Sequence, residues 1–443
     1  MYFPPFPTTI KFLFLLLMER TYSKDAKSCV NKEILLKGWV ERIRNLGSLA
    51  FIILRDCSGK IQLIASKDRC DLNKIKELRR EDVVEVVGRV VANPKAPDGV
   101  EVEIKKIEIL NKAEPLPIEF LGKIETDLSK RLDYRYLDLR NRKNKIIFEL
   151  KSAIVNFARD FFIGNGFIEI HTPKIVSQGA EGGSELFPVL YYGKESYLAQ
   201  SPQFYKQLAQ ASGFEKVFEI GPVYRAEKSH TSRHLSEFWG IDSEISFIES
   251  YEDVMKLVEN LICFIMENLK KNCAHIFEEF KVDFPEYKKP FPRVTLKESF
   301  ELLGKSGIDL STENEKKLGE IAREKFDSDF VFVTQYPFEV RPFYTMKNKE
   351  NPKLTDSFDL IFKGLELVTG SQREHRYKIL VEQAKEKGIS LESIKFYLDA
   401  FKYGMPPHGG FGLGIERFVM QLLNLGNVRE AVLFPRDVER LVP

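Results

Sequence analysis

Between residues 30 and 112, apolar side chains alternate with charged ones in five short runs. LLKGWVERI, LAFIILRDCSG, KIQLIAS, DVVEVVGRVVA and VEVEIKKIEIL are rich in Val and Ile, with Gly and Pro turns and one short Lys/Glu/Leu helix between them. Five strands with a helix before the fourth predict a small closed Greek-key barrel of the OB type. A Pro-containing connection, AEPLPIEF, leads through RLDYRYLDLR (131–140) into an amphipathic helix over about 146–162. Strand and helix patterns then alternate, with strand runs KVFEIGPVYR, EFWGIDSEISF, SDFVFVTQYP and LIFKGLELVTG. The Lys/Glu-rich stretch 268–325 reads as an inserted helical excursion. The expected organisation is an N-terminal extension (1–17), a barrel domain (18–112), a hinge (113–140) and a larger α+β domain (141–443).

Composition narrows the function classes. The chain has 443 residues, enough for two or three domains at ~150 residues each. With 43% hydrophobic and 30% charged residues it has the balance of a soluble globular protein. A net charge of +2 from 67 Lys+Arg and 65 Asp+Glu excludes a uniformly basic coat that grips nucleic acid by charge alone. The excess is concentrated in the barrel stretch, which holds 17 basic against 13 acidic residues. The five cysteines (Cys29, Cys57, Cys70, Cys263, Cys273) form neither C-x-x-C pairs nor a Cys/His cluster, so a zinc ribbon is excluded and a reducing, cytoplasmic setting is the expectation. The apolar stretch Ile10–Met18 is far short of a membrane helix and lacks a basic flank or cleavage site.

The usual phosphate and hydrolase motifs (GxxxxGK[ST], GxGxxG after a strand, GxSxG, HExxH) are absent. Three other segments carry candidate chemistry. GPVYRAEKSHTSRHLSEFWGIDSE (221–244) reads as a hairpin that brings the Arg225 guanidinium and the Phe238 ring to one face, where a phosphate and a base could be held. The ordinary alternative is a charged loop between strands. HGGFGLGIERF (408–418) is a Gly-rich entry to a helix over 415–423 with Arg417 at its start, or else simply a tightly packed turn. In GLELVTGSQREHRY (364–377), Glu366 and Thr369 could supply hard oxygen ligands to Mg²⁺ and Arg373 suits an anionic group; a solvated turn is the bland reading.

In this order and at these intervals, the three segments resemble the motifs of the class II aminoacyl-tRNA synthetases. RYLDLR marks the subclass with the aspartyl, asparaginyl and lysyl enzymes. GFIEIHTPKIV (166–176) resembles the family's first motif, which implies a homodimer interface. The resemblance covers about residues 30–443. It implies a catalytic domain with an antiparallel sheet flanked by helices, and a barrel that binds the tRNA anticodon. YLAQSPQFYKQ (197–207) and FPRDVERL (434–441) are similar to the aspartyl members, and the length leaves no room for the large bacterial insertion, as in archaeal and eukaryotic-cytosolic forms. Lys206 and Arg373 would offer two cations to one β-carboxylate, favouring aspartate over asparagine.

The resemblance also implies roles for individual residues. Glu181, Gln203, Lys206, Arg225, Asp242, Thr369 and Arg373 would form the aspartate pocket. Arg225, Ala226, Glu227, Arg233, His234, Leu235, Phe238, Glu366, Gly414, Ile415, Glu416 and Arg417 would hold ATP, with Phe238 and Arg417 sandwiching the adenine. Glu366 and Thr369 would coordinate Mg²⁺, where the family more often has Ser at the second position. Arg225, Glu366 and Arg417 are the expected catalytic residues. On the barrel, Phe51, Gln62 and Glu101 match anticodon-reading positions. Glu41 and Pro97 fall where relatives differ in strict or relaxed reading of the third anticodon base, leaving open whether tRNA(Asn) is charged besides tRNA(Asp). The competing readings are an asparaginyl-tRNA synthetase, a non-catalytic tRNA-binding paralogue, and an asparagine synthetase sharing the catalytic fold.

Overall fold

The computed structural model describes residues 18–121, 126–180, 185–228 and 231–443. The chain divides into two compact units, Met1–Pro117 and Ile118–Pro443.

The first unit is a closed five-stranded barrel. Its strands are β1 (Glu33–Asn45), β2 (Leu49–Arg55), β3 (Lys60–Ser66), β4 (Val83–Ala92) and β5 (Val100–Asn111), with helix α1 (Leu72–Lys76) before the fourth. They close in the order β1-β2-β3-β5-β4, with β3 and β5 parallel and all other pairs antiparallel. The period-two pattern explains the closure: Ile52, Leu54, Ile61, Leu63, Val84, Val86, Val102 and Ile104 turn inward and form the core. Closure pairs every strand on both sides, so no edge is left exposed.

The second unit is organised around an eight-stranded sheet. Helix α2 (Arg142–Gly164), capped by Asn141 Oδ1 on the Lys143 amide, precedes the short strands β6 (Ile168–Glu169) and β7 (Ile175–Val176). Then come β8 (Pro188–Tyr191), β9 (Lys194–Leu198), helix α3 (Gln203–Ala211), β10 (Lys216–Tyr224), β11 (Glu237–Ser246) and helix α4 (Tyr251–Asn272). The remainder supplies β12 (Arg293–Thr295), helix α5 (Thr312–Phe326), β13 (Phe330–Thr334), β14 (Ser357–Phe362), β15 (Leu365–Gln372), β16 (His408–Gly414) and helix α6 (Ile415–Leu422). The sheet order is β12-β13-β14-β15-β16-β11-β10-β6, antiparallel except for the outermost pair at each end. The main core lies between this sheet and α2, α4 and α6, where Phe162, Phe218, Leu261, Phe330, Phe362 and Phe418 are buried. β7, β8 and β9 form a separate small sheet.

Three sequence expectations change. LIFKGLELVTG, read as one strand run, is the two strands β14 and β15 joined at Lys363 and Gly364, whose φ angles of 46° and 76° make the two-residue turn that a right-twisted hairpin favours. The stretch 268–325 is not wholly helical, because Arg293–Thr295 pairs in parallel with β13 and extends the sheet. The stretch read as a hinge is split at Pro117: Arg135, 1% exposed, donates to the carbonyls of Glu430, Val432 and Leu433 and ties its segment to the second unit. All five cysteines are free thiols, and no helix among the described residues is long and apolar enough to cross a membrane. The extension 1–17 lies outside the described residues.

Candidate active site

β10 and β11 form a regular antiparallel hairpin in which Val223 faces Phe238 and Glu219 faces Asp242. Arg225 leaves the end of β10, and its guanidinium lies 5.5 Å from the centre of the Phe238 ring. The Arg225 amide donates to Ser236 O, so the loop returns beside it. β16 pairs with β11 and β15 at once, aligning Gly412 with Asp242 on one side and with Thr369 on the other. Glycine suits this strand: a Cβ on Gly410 would collide with the Glu244 carboxylate and the Ser243 carbonyl. The three segments singled out in the sequence therefore meet on adjacent strands, around a cavity of about 380 Å³.

Its lining includes Gln203, Lys206, Arg225, Glu227, Arg233, His234, Leu235, Phe238, Asp242, Glu366, Thr369, Arg373, Gly414, Glu416 and Arg417. Ala226 and Ile415 are not among them; Ile415 is fully buried in the core, as the apolar first residue of α6. Glu416 is turned to support, accepting from Lys151 Nζ (2.6 Å) and from the Trp239 amide (3.1 Å). Glu181 lies outside the described residues.

One end of the cavity is an ion-pair cluster. Lys206 Nζ donates to Asp242 Oδ1 and to Phe411 O, both at 3.0 Å, and lies 3.4 Å from Glu244 Oε2, so its three protons face three acceptors. Arg373 reaches Glu244 through Nε (2.8 Å) and Nη2 (3.2 Å), and Nη1 donates to Ser371 Oγ at 2.6 Å. Burial alone would raise the Glu244 carboxyl, but Arg373 and Lys206 outweigh it and hold the group below its ordinary value. The two cations expected to meet one substrate carboxylate thus already face two protein carboxylates. Arg373 has five N–H bonds and spends three here, leaving one on each terminal nitrogen. Nearby, Gln203 Nε2 is buried with no hydrogen-bond acceptor among the described residues.

The other end carries the oxygen donors. Glu366 opens onto the cavity with 37% of its side chain exposed, while Arg417 Nη1 donates to its carbonyl at 3.1 Å and lies 3.4 Å from its carboxylate. Burial raises its carboxyl pKa and the neighbouring Asp359 adds to this, against the pull of Arg417 and Arg341. Asp359 stands opposite Thr369 across β14 and β15. Arg341 joins them, donating to Asp359 Oδ2 (2.8 Å) and Thr369 Oγ1 (3.2 Å). Two carboxylates and a hydroxyl fit a hard cation such as Mg²⁺, which is usually completed by substrate phosphates and water rather than by a protein-only cage. In the loop, His234 lies 3.5 Å from Glu227, and burial lowers its pKa below the usual value.

Sequence reasoning missed Glu244, Glu315, Arg341 and Asp359. Each stands outside the recognised motifs or at their margin and gains its meaning from a cross-strand or helix contact. Only the two-residue step from Asp242 to Glu244 on a strand could have signalled that both face one side.

On the barrel, Gln62 Nε2 donates to Glu101 Oε2 at 2.8 Å, across the parallel β3–β5 pair. Phe51 pairs with Arg44 on one side and Ile64 on the other, so an aromatic ring, two arginines (Arg42, Arg44) and Gln62 share the outer face. Glu41 sits at a bulge in β1, accepting from Lys60 (2.6 Å) and Arg55 (3.4 Å). Pro97 opens a short 3₁₀ turn before β5.

The comparisons with known proteins agree with this geometry. Residues 127–438 match the family described as tRNA synthetases class II (D, K and N), and residues 34–110 match the OB-fold nucleic acid binding domain. The chain is 46% identical to the aspartate–tRNA(Asp) ligase of Pyrococcus furiosus over 95% of its length and 99% of the relative's. It is 47% identical to the aspartate–tRNA(Asp/Asn) ligase of Methanopyrus kandleri over 93% and 96%. Among solved structures, the asparaginyl-tRNA synthetase of Pyrococcus horikoshii with asparaginyl-adenylate superposes with a TM-score of 0.91 at 33% identity, covering 96% of this chain and all of that one. The aspartyl enzyme of Entamoeba histolytica gives 0.87 at 32%, covering 97% of this chain and 94% of that one. Family model, relatives and site agree, and the chain belongs to the class II aminoacyl-tRNA synthetases of the aspartyl, asparaginyl and lysyl group.

Proposed function

We propose that this enzyme attaches L-aspartate to tRNA(Asp) through an aspartyl-adenylate formed from ATP. The observation that carries the choice of aspartate is Arg373, with two N–H bonds left after Glu244 and Ser371, on the cavity wall. Two donors suit the two acceptor oxygens of a carboxylate, whereas an amide turns its NH₂ toward a like donor. Lys206 then acts by holding Asp242 and Glu244 in place. The aspartate-ligase names of the archaeal relatives support the same choice.

Aspartate's α-carboxylate attacks the α-phosphorus of ATP in line, and pyrophosphate leaves. Arg225 stabilises charge on the phosphoryl oxygen, while Phe238 and Arg417 bracket the adenine. When bound, magnesium supplies charge neutralisation on the phosphates, and Glu366, Thr369 and Asp359 are the residues that would hold it. The 3′-hydroxyl of the terminal adenosine of tRNA then attacks the activated carbonyl, the ester forms as the acyl–phosphate bond breaks, and AMP leaves with its phosphate taking up the hydroxyl proton. Neither step calls for a protein acid or base.

Anticodon reading falls to the barrel face with Phe51 and Gln62. Relatives named for tRNA(Asp) and for tRNA(Asp/Asn) are similarly identical to this chain, so charging of tRNA(Asn) is the second reading, and Pro97 in NPKAPDG resembles the relaxed type. Dimerisation through the 166–176 segment is part of the proposal, since Ile168 and Ile175 within it, and Ile163 at the end of α2 just before it, are exposed apolar side chains; a cytoplasmic location fits the five free thiols. The test is pyrophosphate exchange with a panel of amino acids, followed by charging of tRNA(Asp) and tRNA(Asn) transcripts. Exchange driven by asparagine rather than aspartate overturns the assignment. Charging of tRNA(Asn) below one hundredth of the tRNA(Asp) rate overturns the second reading. Arg225→Ala is expected to abolish exchange with the fold intact.

A further inference from the structure

Helix α5 belongs to none of the three motifs, yet it reaches the cavity from outside. Its fourth residue, Glu315, is 8% exposed. Its Oε2 accepts from Arg233 Nη1 at 3.1 Å and from the backbone amide of Glu366 at 3.2 Å. Thr312, at the start of the same helix, pairs through its hydroxyl with Arg233 Nη2. One helix turn thus holds the arginine of the loop after β10 and the residue on β15 that carries the metal-side carboxylate.

The helix is also wedged in place. A Cβ on Gly319 would lie 2.6 Å from the Gly364 Cα, and closer still to its amide, so α5 lies directly on the β14–β15 turn two residues before Glu366. α5 cannot shift without moving that turn. Ser311 caps the helix, its side chain accepting from the Asn314 amide, which fixes the first turn where Thr312 and Glu315 stand.

We propose that Glu315 is a positioning residue for the nucleotide, setting Arg233 and Glu366 together on the cavity wall for the triphosphate of ATP. The inference rests on the ATP-dependent reading above. Glu315 touches no reacting atom. It works through one guanidinium and one backbone amide, and a neutral oxygen acceptor of the same length serves both.

The test is ATP–pyrophosphate exchange and direct ATP titration on the full-length protein, with Glu315→Ala, Glu315→Gln, Thr312→Val, Arg233→Ala and the double variant Glu315→Ala/Arg233→Ala. Glu315→Ala is expected to raise KM for ATP about tenfold, the loss of one charge-assisted hydrogen bond, and to leave KM for aspartate within about twofold. Glu315→Gln should restore most of the ATP affinity, and the double variant should be worse than Arg233→Ala alone by less than the full Glu315→Ala effect, since only the Glu366 arm is then left to lose. Thr312→Val removes the second anchor without touching a buried charge and should raise KM for ATP about threefold, the weaker effect of an uncharged acceptor on the same guanidinium. The proposal is overturned if Glu315→Ala folds with unchanged KM for ATP, if both KM values rise together, or if the two substitutions add. If Glu315→Ala fails to fold, an unchanged ATP titration for Thr312→Val overturns it. Absence of aspartate-dependent exchange in the unmodified enzyme overturns the functional reading instead, and ATP titration still decides the role of Glu315.

Discussion

Glu244 has no solvent-exposed surface and sits between two cations, so the selectivity of the pocket depends on how those cations are shared. Arg373 keeps donors for a ligand because its planar fork offers five N–H bonds, whereas Lys206 offers three, all directed at protein oxygens. Arg373→Lys is therefore expected to cost about tenfold or more in kcat/KM for aspartate and to narrow the gap to asparagine, measured by exchange kinetics with both amino acids. His408 is fully buried beside Glu244, Arg373 and His375, and burial lowers its pKa to about 4. Its unfolded value is about 6.5, so the unfolded chain binds a proton that the native one refuses. The stability this represents, about 3 kcal/mol, is present above pH ~6.5 and lost as pH falls toward the folded pKa. Thermal unfolding followed from pH 7 to 4.5 should show a marked fall in Tm for the native sequence. In His408→Gln, which does not titrate, the slope should be shallower.

At the scale of elements, the site is made by strand order. β16, late in the chain, lies between β15 and β11, and this insertion brings Gly412 between Asp242 and Thr369. The close approach at Gly410 tolerates no side chain. Gly410→Ala is expected to lower Tm by several degrees and to weaken aspartate binding, because the methyl group must displace the Glu244 carboxylate from Arg373. Calorimetry with aspartate-dependent exchange checks both effects. The hairpin over 221–244, the helix after HGGFGLG and the five barrel strands were legible because each follows from a local period and local turn residues. The split of LIFKGLELVTG at Lys363 and Gly364 was not, since eleven residues with an apolar bias read equally well as one strand. Nor was β12, a three-residue strand whose only support is the partner beside it.

For the whole molecule, two units with separate cores divide the labour that the family implies, and the near-zero net charge is compatible with an RNA partner when binding rests on stacking. Phe51→Ala in the full-length protein should raise KM for tRNA(Asp) by about 5- to 100-fold and leave tRNA-independent pyrophosphate exchange unchanged, since a stacked base contributes about 1–3 kcal/mol. Steady-state charging beside exchange on one preparation checks this. Alternation of apolar and charged residues determined the barrel, and the residue order within 221–244, 364–377 and 408–418, with RYLDLR, carried the resemblance to the family, because each is a pattern of neighbours along the chain. Tertiary structure alone decided that Glu244 takes up the cations, that Asp359 and Arg341 join the oxygen donors, and that α5 reaches Arg233. These contacts join residues 18 to 129 positions apart, and burial and charge pairing act through space, where sequence separation carries no information.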